Sequence, residues 1–188
     1  MAKFVRHSLQ AIHTAPHLLG CLLLLGMSVR AQVPVSHAYR DSGTGLVIHF
    51  REGWKIDRES SPFTIVSFDP RKRPPQVLVP LSGAEIVVTR PPMGVGSVAD
   101  WLNSDRATAE RGHHIATADV PTTYFATLAA TVTRFRPDVI PEATFVVYYL
   151  DLKDRPLKVA LKYRGQRRVE YFESVLLAVI KNLEPAKP

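Results

Sequence analysis

Apolar and polar positions along this chain alternate with two different periods, and each change of period marks a new element. Leu46, Ile48 and Phe50 alternate with Val47 and His49, the two-residue period of a strand. Phe63 to Phe68 reads as a second strand. Ala84, Ile86 and Val88, set against Glu85, Val87 and Thr89, read as a third. Leu128, Ala130 and Val132 share one face of a strand over 126–135. Phe145 to Leu150 is apolar on both faces, which predicts a central strand covered on both sides. Leu157, Val159, Leu161 and Tyr163 point one way and Lys158, Ala160 and Lys162 the other, which predicts a strand with one exposed face.

Helical spacing occurs in two places. Ser97 followed by Asp100 is an N-cap pattern, with Val98, Trp101, Leu102 and Ala109 on one stripe and Gly112 as the stop. From Arg168 to Asn182, Phe172, Val175, Leu176, Val179 and Leu183 follow the i, i+3, i+4, i+7 rule. Burying five such side chains contributes roughly 8–15 kcal/mol before chain entropy is subtracted. The prolines between Pro62 and Pro185 fall outside the apolar runs and mark loops. The links 136–142 and 153–156 are short enough for antiparallel hairpins. These elements predict an α+β sandwich, one antiparallel sheet with helices packed on it.

The beginning of the chain follows a different rule. Met1 to Pro16 carries Lys3, Arg6, His7 and His13 and no acid, and an apolar run follows from Leu18 to Val29. A run of about a dozen residues suits a signal-peptide core and falls short of the roughly 20 needed for a permanent membrane span. Val29 and Ala31 sit where a signal peptidase reads, so cleavage is expected after Ala31. The alternative, lipid attachment at Cys21 in Leu18-Leu19-Gly20-Cys21, requires the apolar core to end there, and Leu22 to Leu25 continue it. The expected organisation is a signal peptide at 1–31, a flexible tether at 32–43, one domain at 44–184 and a tail at 185–188. The expected location is periplasmic or secreted.

Cleavage changes the charge. The full 188 residues hold 24 basic and 17 acidic side chains, a net +7. Without Lys3, Arg6 and Arg30 the mature chain keeps 21 basic side chains and a net +4. Cys21, the single cysteine, leaves with the leader. Disulfides, cysteine–zinc sites, iron–sulfur clusters and cysteine nucleophiles are thereby excluded from the mature protein. It must be held by its core, which about 157 residues can supply.

Gly45-Leu46-Val47-Ile48-His49-Phe50 followed by Glu52-Gly53-Trp54 resembles the opening of PsbP-like domains, including the bacterial DcrB-like proteins. In these a first strand runs into a turn ending Gly-Trp. The strand from Gly83 to Val88, the mid-chain helix, the aromatic strand from Thr144 to Leu150 and the closing helix keep the same order over 44–183. Arg51 stands where the family usually has proline. The resemblance implies an α/β/α sandwich around an antiparallel sheet and little about function: PsbP is an extrinsic subunit of a photosynthetic complex, and relatives bind proteins without catalysing a reaction. No functional residue carries over by motif.

Candidate chemistry is sparse. Gly94-Val95-Gly96-Ser97 precedes a helix and could hold an anion, but an ordinary N-cap explains it. His37, His49, His113 and His114 lack the spacing of a metal site, and no metal or cofactor is expected. Glu170 and Glu173, and Asp151 and Asp154, read as solvated charge. Trp54 and Trp101 read as core anchors. Basic residues cluster at Arg71-Lys72-Arg73, at Arg134 and Arg136, and at Arg164, Arg167 and Arg168. Export removes nucleic acid as a partner.

Arg71, Lys72 and Arg73, on a loop stiffened by Pro74 and Pro75, are the candidate partner-binding residues. The expected function is a non-enzymatic interaction or accessory domain of the cell envelope, its partner an envelope protein or an anionic surface. The alternative is a small-ligand binder or a hydrolase with a pocket between sheet and helix.

Overall fold

The computed structural model describes residues 37–185 other than 43–44, 60–61, 75–76, 78, 113, 117–119, 126–127, 138–139, 141 and 153–154. The expected leader and its cleavage site lie outside the described residues. Residues 32–188 form one compact unit.

Its main sheet has eight strands: β3 (Lys55–Arg58), β4 (Phe63–Val66), β5 (Ala84–Thr89), β6 (His114–Ala116), β7 (Val120–Phe125), β8 (Leu128–Pro137), β9 (Ala143–Leu152) and β10 (Arg155–Arg164). The order across the sheet is β3-β4-β5-β10-β9-β8-β6, with β7 also on β8, and every pairing is antiparallel. Helix α1 (Val98–Arg111) covers one face. Helix α2 (Val169–Lys181) covers the other, beside a smaller sheet of β1 (His37–Asp41), β2 (Leu46–Phe50) and β11 (Glu184–Pro185). The described residues form the antiparallel sheet with packed helices expected from the periodicities, in the α/β/α layering that the resemblance implies.

Alternation along the strands divides the core in two. Ile86 and Val88, Val159 and Leu161, and Val146 and Leu150 meet Phe172, Val175, Leu176 and Val179 of α2. Val147, Tyr149, Ala160 and Phe135 meet Trp101, Leu102 and Ala109 of α1. Strand β9 contributes to both layers, as its two apolar faces require. Ser97 caps α1, its hydroxyl accepting from the Asp100 amide at 3.1 Å, and Gly112 ends it. Both tryptophans are buried, Trp54 against Phe172 and Trp101 against Tyr149. The buried apolar core among the described residues runs from Leu46 to Ile180, within the compact unit 32–188.

Four differences from the sequence reading matter. Strand β10 is not half exposed: it lies between β5 and β9, and α1 covers part of its lysine-bearing face. Residues 37–41, assigned to a tether, form β1, because backbone pairing with β2 needs no apolar pattern. Pro185, assigned to the tail, pairs with Leu46. Strands β3, β6 and β7 carry too few alternating apolar residues to register as strands, and Pro121 interrupts β7.

Candidate functional site

Antiparallel register decides which loops meet. Ala84 lies opposite Tyr163, Glu85 opposite Val66, Arg164 opposite Ala143, and His114 opposite Pro137. The loop after β4, the turn before β5, the turn before β9 and the turn after β10 therefore sit at one end of the sandwich. The turn at Gly165 joins them: the Ser82 amide donates to the Arg164 carbonyl at 3.0 Å, and the Gly165 amide to the Glu142 carbonyl at 2.9 Å. Gly165 has φ +82°, open to glycine without strain. Ser82 (φ 61°) and Arg168 (φ 69°), the two non-glycine residues with positive φ among those described, are both at this end.

Three basic clusters, far apart in sequence, share this end. Arg71 and Lys72 lie exposed on a single 3₁₀ turn, Pro70–Lys72, capped by Asp69. Arg136 is exposed near the end of β8, and Arg164, Arg167 and Arg168 bring the turn from β10 into α2. No described acidic group forms an ion pair with Arg71, Lys72, Arg136 or Arg167. Arg164 approaches Glu142 at 4.0 Å, and Arg168 lies over the ring of Tyr171. Leu81, 68% exposed, and Ile140, 39% exposed, stand on the turns either side of Gly165. Of the three large exposed apolar side chains among the described residues, only Met93 lies elsewhere, on the loop between β5 and α1 at the far end.

Arg73 behaves differently from its two neighbours. It turns inward and donates to Asp57 Oδ2 at 3.1 Å, with Glu85 Oε2 at 3.6 Å from its second nitrogen. Lys162 Nζ meets Glu85 Oε1 at 3.0 Å. These groups, with Thr64 and Val77, line a cavity of about 260 Å³ on the sheet face that α1 leaves open. Asp57 and Glu85 offset Arg73 and Lys162 within it, and the Thr64 hydroxyl donates to the Pro62 carbonyl. The arrangement fastens the β4–β5 loop to the sheet. The cavity lies under a loop, and beneath α2 and α1 the described side chains form two buried apolar clusters.

Two polar links tie the helices down. Asp105 Oδ2 of α1 accepts from the Tyr149 hydroxyl at 2.7 Å and from Lys158 Nζ at 2.8 Å, and Lys158 stands 4.8 Å over the Trp101 ring. Arg134 donates both terminal nitrogens to Glu173 of α2, at 2.6 and 3.2 Å. Glu173 is therefore not solvated charge. That hydrogen bond raises the Arg134 pKa, outweighing the desolvation that lowers it. Burial, with the Glu173 carboxylate, holds the Tyr148 phenol above its ordinary value. Of the histidines, His49 Nε2 lies 3.9 Å from Glu184, the His37 ring lies 5.5 Å from that of Phe50 and tilted to it, His114 begins β6, and His113 is outside the described residues.

These arrangements can be set beside known structures. Neither a protein-family profile nor a curated protein sequence matches the chain. Among solved structures, the Saccharomyces cerevisiae Ran-binding protein Mog1p aligns over 82% of this chain and 97% of its own, at 11% identity and a TM-score of 0.50. The fold is similar to that of Mog1p. Cyanobacterial PsbP (CyanoP) of Synechocystis sp. PCC 6803 aligns over 86% of this chain and 98% of its own, at 13% identity and a TM-score of 0.48. No described helix is long and apolar enough to cross a membrane.

Proposed function

We propose that this protein is an exported, non-enzymatic interaction domain of the cell envelope, and that its partner face is the end of the sandwich bearing Arg71 and Lys72. The observation that carries the reading is the convergence of three basic clusters on one end, with no described acid paired to Arg71, Lys72, Arg136 or Arg167. Like charges gathered on one surface repel one another, and an anionic partner relieves that repulsion. Mog1p, a protein of similar fold, is a Ran-binding protein, which supports reading this architecture as a binding platform. The apolar leader at 18–29 supports export. Arg73 contributes by holding the loop in place through Asp57 and Glu85.

Photocrosslinking in cells tests the reading. A crosslinker at position 72 is expected to yield a defined adduct, and one at Asn103, exposed on α1, is expected to yield none. Arg71→Ser with Lys72→Ser should leave the melting temperature within about 1 °C, since exposed charges contribute little, and should weaken capture. Equal capture by that double variant, at the same salt midpoint, overturns the reading. The cavity beside Arg73 favours a second reading, a small-ligand binder, which predicts a melting shift with a charged small molecule that is lost in Lys162→Met.

A further inference from the structure

We infer that the basic end of the sandwich docks on an anionic lipid surface, with Leu81 and Ile140 entering the headgroup layer. The inference rests on the interaction reading and names its partner class. Leu81 is 68% exposed and Ile140 39%, and both project from turns joined through Gly165. Arg71, Lys72, Arg136, Arg164, Arg167 and Arg168 share that end of the sheet with them. Apolar side chains among cations match the chemistry of a membrane interface, where the former reach the acyl boundary and the latter meet lipid phosphates.

The geometry favours lipid over an acidic protein. A protein partner needs a shaped surface to bury against, and the described cavity lies on the sheet face, where Asp57 and Glu85 are already paired with Arg73 and Lys162. Exposed tips on turns need no matching pocket when the partner is a fluid plane whose anions move to meet each cation. The chain also enters the domain at this end. His37 lies opposite Phe50, whose neighbour Arg51 stands over Tyr171 in the first turn of α2.

The test is sedimentation of the protein beginning at Gln32, a unit that carries its own core, with vesicles of phosphatidylglycerol and phosphatidylcholine in equal parts. Vesicles of phosphatidylcholine alone are the control. Binding is expected to the anionic vesicles only, and to weaken as salt is raised. A cation near the surface contributes about fivefold in partitioning. Arg71→Ser, Lys72→Ser and Arg167→Ser together should therefore weaken binding more than tenfold. Leu81→Ser should weaken it about tenfold, while Met93→Ser, at the far end, should leave it unchanged.

No sedimentation with anionic vesicles at low salt overturns the inference. So does equal binding by the triple variant and the parent. A protein adduct from position 72 without vesicle binding leaves the interaction reading standing and removes the lipid as its partner. Loss of both removes both.

Discussion

Removing the carboxylate of Asp105 tests how α1 is held to the sheet. Asp105 Oδ2 accepts from the Tyr149 hydroxyl and from Lys158 Nζ, at 2.7 and 2.8 Å. Tyr149 is fully buried, and Asp105→Ala removes a close acceptor from its hydroxyl, a loss of about 1–3 kcal/mol. Lys158 is 21% exposed and keeps its place over Trp101, so the ion pair itself adds only about 0.5–1 kcal/mol. The total of roughly 1.5–4 kcal/mol lowers the melting temperature by about 3–16 °C in a domain of this size. Urea titration followed by far-UV circular dichroism should move the midpoint without changing the slope. Asp105→Asn keeps an acceptor for the tyrosine and should lose no more than about 1 kcal/mol. Asp105→Ala melting within about 1 °C of the parent would refute the argument. Equal losses from Asn and Ala would show that the charge, not the tyrosine bond, carries the effect.

Val147→Asp puts a charge between β9 and α1, beside Trp101 and Tyr149, and should cost several kcal/mol, enough to unfold the domain at room temperature by circular dichroism. Tyr148 has its pKa raised above 10.0, so folding favours its protonated form. That contribution is complete below pH 10 and fades as pH rises through the higher folded value. Stability measured from pH 9 to 11 should therefore fall more steeply in the parent than in Tyr148→Phe, and equal slopes would remove the effect. N-terminal sequencing of protein from the exported fraction should read Gln32 first, where a lipidated Cys21 or a retained Met1 would overturn cleavage after Ala31.

Much of the fold was legible in the order of residues. The two-residue alternations of β2, β5 and β10 and the i, i+3, i+4 stripe of α2 report which side chains turn to a core, because pleat and helical pitch are local properties. Ser97 and Gly112 marked the ends of α1 because capping involves only the nearest turn. Periodicity was silent for β1, β3, β6 and β7, short or edge strands that join the sheets through backbone hydrogen bonds, which leave no trace in side-chain pattern. It also misjudged Lys158 and Glu173, polar residues half buried only because Asp105 and Arg134 arrive from elements 53 and 39 residues away.

The candidate site belongs almost wholly to the tertiary structure. Sequence marked Arg71, Lys72 and Arg73 as one cluster, and folding separated them: two remain at the surface, and Arg73 turns toward Asp57 and Glu85 on neighbouring strands. Sequence also marked the bases at 134–136 and 164–168 as separate groups, and antiparallel register carried them to the same end. Composition and period determine what each segment is. Which distant segments become neighbours depends on strand order and register, and these are set by the packing of the whole core at once.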